Sequence, residues 1–151
     1  MFEILMYLFE SYFDAGAYPA VDKLSRKLAA AGFEDDEISE AITWIAAMQD
    51  GNAATYASEF TYAGLRHFGA PELLAISAEA RQFLISTHQH GLISKVELEM
   101  VIDRAVALQQ RQLSVDKLKL VTLMVLWNRQ RELDPLLIEE LLTPLVTAQI
   151  H

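Results

Sequence analysis

The chain has no cysteine. That absence removes disulfides, thiolate nucleophiles and cysteine-ligated zinc or iron–sulfur sites together, and it fits a reducing compartment. Glycine and proline are scarce, six and four in 151 residues, and they are scattered as helix stops and loop residues. No Walker-type phosphate loop, dinucleotide glycine fingerprint or Gly-x-Ser-x-Gly nucleophile elbow is present. Bases are outnumbered, 12 Lys and Arg against 21 Asp and Glu, for a net charge of -9. A surface dressed with phosphates would therefore repel the chain unless its few bases cluster. No apolar run reaches the roughly 18 residues that suggest a membrane span. The greasy opening from Met1 to Tyr12, MFEILMYLFESY, is bracketed by Glu3 and Glu10 and lacks the positive start and small-residue cleavage site of a signal peptide. The cytoplasm is the expected location, with no membrane association.

What the chain does have is apolar residues at helical spacing. A hydrophobic content of 52% over this length supports one sizeable core or two small ones. The pattern predicts an all-α protein, a bundle of about seven helices. Residues 1–50 read as an N-terminal three-helix module. Its first helix leaves only Glu3, Glu10 and Asp14 polar and ends near Ala15-Gly16; the second carries Val21, Leu24, Leu28 and Ala31 on one face and ends at Gly32; the third starts in the acidic run Glu34–Glu37 and buries Ile38, Ala41, Ile42, Ile45 and Met48. Periodicity then disappears, and residues 51–70, with Tyr56, Phe60, Tyr62 and Phe68 among glycines, read as an aromatic linker loop or a short strand. Residues 71–151 read as a C-terminal helical bundle. One long helix of about twenty residues is expected from Pro71 to a stop at Gly91. Ser94 and Glu97 match a capping box for the next helix, Ser114 caps another that is apolar nearly all round, and Asp134-Pro135 open a last one, bent or ended by Pro144.

The candidate functional constellations are few. The stretch LSRKLAAAGFEDDEISEAITWI, Leu24 to Ile45, is a bihelical unit with a Gly-Phe corner. It resembles helix-turn-helix units and the helical repeats of the RecX family, and more distantly the corner of ubiquitin-associated domains. A self-contained helical hairpin is the plainer reading, because the helix after the corner would meet phosphates with four acids in a row. His88 and His90 lie two apart on a helix, so both rings could not grip one ion without unwinding the helix end; a role at the helix terminus accounts for them. Glu97, Glu99 and Asp103 read as a solvated face. Arg81, in a mostly apolar helix, and Arg66, among aromatics, either present forks to a partner or pair internally, Arg66 with Glu72 for example. Trp44 precedes the buried Ile45; exposed it would anchor an interface, and buried it would sit beneath the aromatic loop.

Five segments taken in order, MFEILMYLFE, GF with EISEAITWI, EARQFLISTHQHGLIS, ELEMVIDRAVAL and DKLKLVTLMVLWN, resemble the Smg family of small bacterial proteins, and the likeness covers nearly the whole chain. These are helix-packing motifs. The resemblance implies a bacterial, cytoplasmic protein with no catalytic residue to carry over, and gene neighbours in DNA processing and formyl-methionine handling link it weakly to nucleic-acid or translation machinery.

The expectation is thus a non-enzymatic interaction or regulatory protein without cofactor or metal, binding another protein with Trp44, Arg66 and Arg81 as partner-binding candidates. The alternative is a nucleic-acid-associated regulator using residues 24–45, which requires Lys23, Arg26 and Lys27 to join Arg66 or Arg104 in one basic patch.

Overall fold

The middle of the molecule is a helix with almost no polar face. In the computed structural model, which describes residues 1–12, 20–50, 68–129 and 135–141 apart from the side chains of Val21, Gln49 and Asp50, every residue from Leu120 to Trp127 is buried. A helix apolar all round needs neighbours on every side. Numbered in chain order, the helices are α1 (Phe2–Tyr12), α2 (Val21–Ala30), α3 (Asp35–Asp50), α4 (Ala70–Ala75), α5 (Ala78–Gln89), α6 (Lys95–Ala107) and α7 (Val115–Asn128). Residues 135–141 are helical as well. The chain is all-α, and α7 is its central element: α1, α3, α5 and α6 all touch it. Its one interior hydroxyl, Thr122, is satisfied locally, donating to the Leu118 carbonyl at 2.8 Å.

The greasy α1 spends its apolar surface on that centre. Ile4, Leu5, Leu8 and Phe9 are buried, and Phe9 meets Trp127 edge-on with ring centroids 6.0 Å apart. Such aromatic pairs add about 0.5–1.5 kcal/mol beyond area burial. The buried residues on both sides of residues 51–67 belong to one hydrophobic cluster, so the N-terminal and C-terminal helices share a core. Residues 51–67 themselves, with the expected loop or strand, lie outside the described residues, as do the stop near Ala15-Gly16, Asp134 and Pro144.

The α2–α3 corner follows from its sequence. Leu24 and Leu28 are buried, while Lys23, Arg26 and Lys27 face outward. Gly32 takes φ +101°, and the chain reverses with Gly32 N donating to Ala29 O at 3.1 Å and Phe33 N donating to Leu28 O at 3.3 Å. This is the paired bonding of a Schellman motif, and it requires the left-handed residue at the glycine. Phe33 then packs edge-on against Tyr7 at 5.7 Å. Gly91 ends α5 in the same way, at φ +76°, with Gly91 N to His88 O at 2.9 Å and Leu92 N to Thr87 O at 3.1 Å.

The single long helix expected from Pro71 to Gly91 is two helices. The chain breaks at Ile76, which is extended (φ -115°, ψ 127°) and forms a parallel bridge with Leu113. Ser77 restarts the helix as N-cap, its hydroxyl accepting from Ala80 N at 3.2 Å. Helix ends orphan their last carbonyls, and here each finds a partner. Leu73 O accepts from the Gln112 amide at 2.9 Å, Leu74 O from Gln112 N at 3.0 Å, Ala75 O from Leu113 N at 2.8 Å and Ile76 O from Arg81 at 3.1 Å. The break leaves Leu73 and Leu74 exposed, 44% and 63%.

The caps at Ser94 and Ser114 form as expected. Ser94 Oγ accepts from Glu97 N at 3.1 Å, and Ser94 N donates to Glu97 Oε1 at 2.8 Å. Ser114 Oγ accepts from Lys117 N at 3.3 Å. The solvated face assigned to Glu97 and Glu99 is overturned: both are 3% exposed, and only Asp103 of the three faces water. For Glu97 the cause is visible, since the capping box turns its carboxylate inward to Arg129 at the end of α7, with Nε 3.4 Å from Oε2.

Candidate functional groove along helix α3

Helix α3 is amphipathic, and its outer side stands between two grooves. The spacing that buries Ile38, Ala41, Ile45 and Met48 places Asp36, Ser39, Glu40, Thr43 and Ala47 outward at three-and-four intervals. On one side of that ridge runs an open groove of about 670 Å³, walled by α3, by the end of α6 with the turn after it, and by Met1. A second groove of about 610 Å³ lies on the other side, between α3 and α2, and shares Ser39 and Thr43 with the first.

The wall of the larger groove is built by a reciprocal exchange between Trp44 of α3 and Arg104 of α6. Trp44 Nε1 donates to Arg104 O at 2.9 Å, and Arg104 Nη1 donates to Trp44 O at 3.1 Å. The guanidinium carbon also lies 5.7 Å from the centroid of the indole ring, within cation–π range. Arg104 O belongs to the last turn of α6, where Leu108 N bonds Ala105 O instead. The indole thus caps a carbonyl that the helix itself leaves open. The other face of the guanidinium is held by Asp103 at 3.0 Å. Beyond the wall the turn places Gln109 at φ +56°. The remaining lining is mixed: Ala47, Ala107, Leu108 and Met1 are apolar, and Asp36 and Glu40 are acids.

The three partner-binding candidates do not meet. Trp44 is 4% exposed and packs against Arg104, at the edge of the groove; the aromatic loop expected to cover it lies outside the described residues. Arg81 is half-buried at the α4–α5 corner, where it serves the Ile76 and Leu73 carbonyls and lies 5.9 Å from the Phe68 ring. Its work there is intramolecular. Arg66, and with it the Arg66–Glu72 pairing, lies outside the described residues. Arg104 is the residue that sequence reasoning missed. The nucleic-acid alternative requires it, or Arg66, to join Lys23, Arg26 and Lys27 in one patch, but its donors are taken by Trp44 and Asp103. Its sixty-residue separation from Trp44 leaves no periodic signal.

The histidines act separately. His88 Nδ1 contacts Ile93 O at 3.0 Å, and His90 Nδ1 contacts Ser86 O at 2.7 Å, each ring closing the end of α5. Among the described residues no group of three or more His, Asp or Glu is placed to hold a metal ion. No helix of the described residues is long and apolar enough to cross a membrane.

Comparison with known proteins agrees with the resemblance noted above. The family described as "Protein of unknown function (DUF494)" matches residues 1–151. A protein named "Protein Smg homolog" from Azoarcus sp. (strain BH72) is 43% identical over 144 residues, covering 95% of this chain and 93% of its own. Its namesake from Nitrosomonas eutropha is 38% identical over 152 residues and that from Bordetella pertussis 36% over 154, each covering the whole of both chains. No solved structure matches. Full-length similarity at this level establishes that the chain belongs to the Smg family.

Proposed function

We propose that this protein is a non-enzymatic, cytoplasmic interaction module that binds another protein along the outer side of α3. The observation that carries the reading is the open groove walled by the Trp44–Arg104 exchange. Its wall is fixed by hydrogen bonds in both directions, so the surface is formed before anything binds, which lowers the ordering cost of association. Its lining mixes apolar side chains with exposed carboxylates, the combination found where a protein surface meets a peptide-like segment. The acidic balance of the whole chain, -9, favours protein partners over nucleic acid.

The competing reading, a nucleic-acid regulator using the bihelical unit 24–45, needs a continuous basic patch. Lys23, Arg26 and Lys27 face outward on α2, but Arg104 is engaged elsewhere and α3 opens with Asp35, Asp36 and Glu37. The test is affinity purification of the tagged protein from its bacterial host with and without nuclease. A stoichiometric protein partner that survives nuclease is the expected result. Recovery of nucleic acid alone, or of proteins lost on nuclease treatment, would overturn the reading.

A further inference from the structure

Resting on that reading, we infer that the occupant of the α3–α6 groove is a cationic amphipathic segment of the partner. Its bases would lie on Asp36 and Glu40, and its apolar side chains on the floor made by Ala47, Leu108 and the rim of Trp44.

The charge pattern selects the sign. Two carboxylates sit on the groove's α3 side, four residues apart, so both project on one face of the helix and both are exposed. The one basic side chain among the described lining residues, Arg104, is turned into the wall, its donors held by the Trp44 carbonyl and the Asp103 carboxylate; the other cation of the lining is the backbone ammonium of Met1. An acidic segment would therefore meet two like charges side by side on α3, against the single ammonium of Met1. A cationic segment gains two partners on the rim. Neither acid is buried, so their contribution is to association rate and selectivity more than to affinity.

The dimensions select the form. From Asp36 to Ala47 the face runs about 16 Å at roughly 1.5 Å per residue, the length of about three turns of a second helix laid alongside. A volume of about 670 Å³, open along its length, accommodates a row of side chains rather than a single enclosed ligand. A second copy of this chain is a poor occupant. Its outward cationic face, Lys23, Arg26 and Lys27 on α2, has its leucines Leu24 and Leu28 buried in its own core. Bases without adjacent apolar side chains do not match a groove that presents both.

The experiment titrates the full chain, labelled with nitrogen-15, with a synthetic amphipathic Leu/Lys helix of about 14 residues and with its Leu/Glu counterpart. The Leu/Lys peptide is expected to shift the Trp44 indole N–H together with Thr43 and Ala47. The Leu/Glu peptide is expected to leave them unmoved. The double variant Glu40→Lys, Thr43→Arg changes two exposed positions and is expected to weaken the Leu/Lys peptide by about tenfold or more. Shifts spread over the acidic surface, or insensitive to the variant, would overturn the inference. The same variant is then used as bait in the host. Loss of the nuclease-resistant partner supports the inference; retention overturns it while leaving the protein-partner reading intact. If wild type brings down no protein partner, the underlying reading falls.

Discussion

Replacing Trp44 by phenylalanine removes the indole N–H but keeps an aromatic ring, and replacing Arg104 by alanine removes the guanidinium but keeps the carbonyl that the indole uses. That asymmetry makes the Trp44–Arg104 exchange open to a sharp test. Each hydrogen bond of the exchange runs from a side chain to a backbone acceptor, so each substitution deletes one bond and leaves the other intact. Trp44→Phe strands Arg104 O in a wall where the ring is 4% exposed; an unsatisfied shielded acceptor costs about 1–3 kcal/mol. Arg104→Ala costs about 1–2 kcal/mol, because Trp44 O sits within α3 and keeps its place in the helix ladder. The Asp103 contact adds little, since that carboxylate is 46% exposed and screened by water. The only interaction that needs both side chains is the stacking of guanidinium on ring, about 0.5–1 kcal/mol. The double variant should therefore lose nearly the sum of the two singles, with coupling no larger than that stacking energy. Urea denaturation of the four proteins, followed by far-ultraviolet circular dichroism, gives the cycle directly. Coupling above about 2 kcal/mol, or a Trp44→Phe cost below about 0.5 kcal/mol, would refute the assignment of these bonds.

Gln112 at φ +51° ties the 112–113 segment to the end of α4 through its amide and its backbone. Gln112→Ala should cost about 1 kcal/mol and speed hydrogen exchange at the Leu113 amide, while Gln112→Gly should recover part of that loss by relieving the left-handed backbone. Gly32→Ala should destabilise by about 1–2 kcal/mol through its φ of +101° alone, since an added Cβ would meet nothing within 4 Å; thermal denaturation checks this. Leu123→Ala, at a fully buried position in the centre of α7, should cost about 2–5 kcal/mol in urea denaturation, whereas Leu74→Ser at the exposed end of α4 should stay within about 0.5 kcal/mol. Arg129→Ala removes the cation 3.4 Å from the buried Glu97 and should cost on the order of 3 kcal/mol, more than Glu97→Gln, because the Arg129 side chain is 29% exposed and can turn to water.

The helices were legible wherever a local rule governed them. Ser94 with Glu97, Gly32 with Phe33, and the all-apolar run of α7 each act within a few residues, and each appears as read. The long helix from Pro71 failed for the complementary reason. Its apolar spacing continues through Ile76, Ala80 and Leu84, all fully buried, so periodicity alone runs straight across the break. What breaks it is the bridge from Ile76 to Leu113, thirty-seven residues away, a contact with no local trace. Glu97 and Glu99 failed because charge predicts exposure only when no partner competes with water, and the partner of Glu97, Arg129, sits on another helix. The candidate site followed the same division. Trp44 was singled out because a tryptophan beside a buried stripe stands out in any sequence. Arg104 looked like one base among twelve.

The same packing explains why α3, rather than α1 or α7, offers a surface. α1 is apolar on most of its circumference and is consumed by α7 and α3; α7 is covered on several sides and has nothing left to present. α2 uses its two leucines on the core and shows charged and small residues outward. α3 touches α1, α2, α6 and α7 with one face, yet its opposite face stands between two grooves rather than on a smooth convex surface. A helix packed against four others is rigid, and a rigid helix with concave flanks binds without first being ordered. The groove beside Trp44 has the fixed wall of the two, because there a tryptophan and an arginine on different helices each donate to the other's backbone. The fold therefore concentrates its rigidity and its accessible relief on the same stretch of α3, Asp36 to Ala47, about three turns of helix.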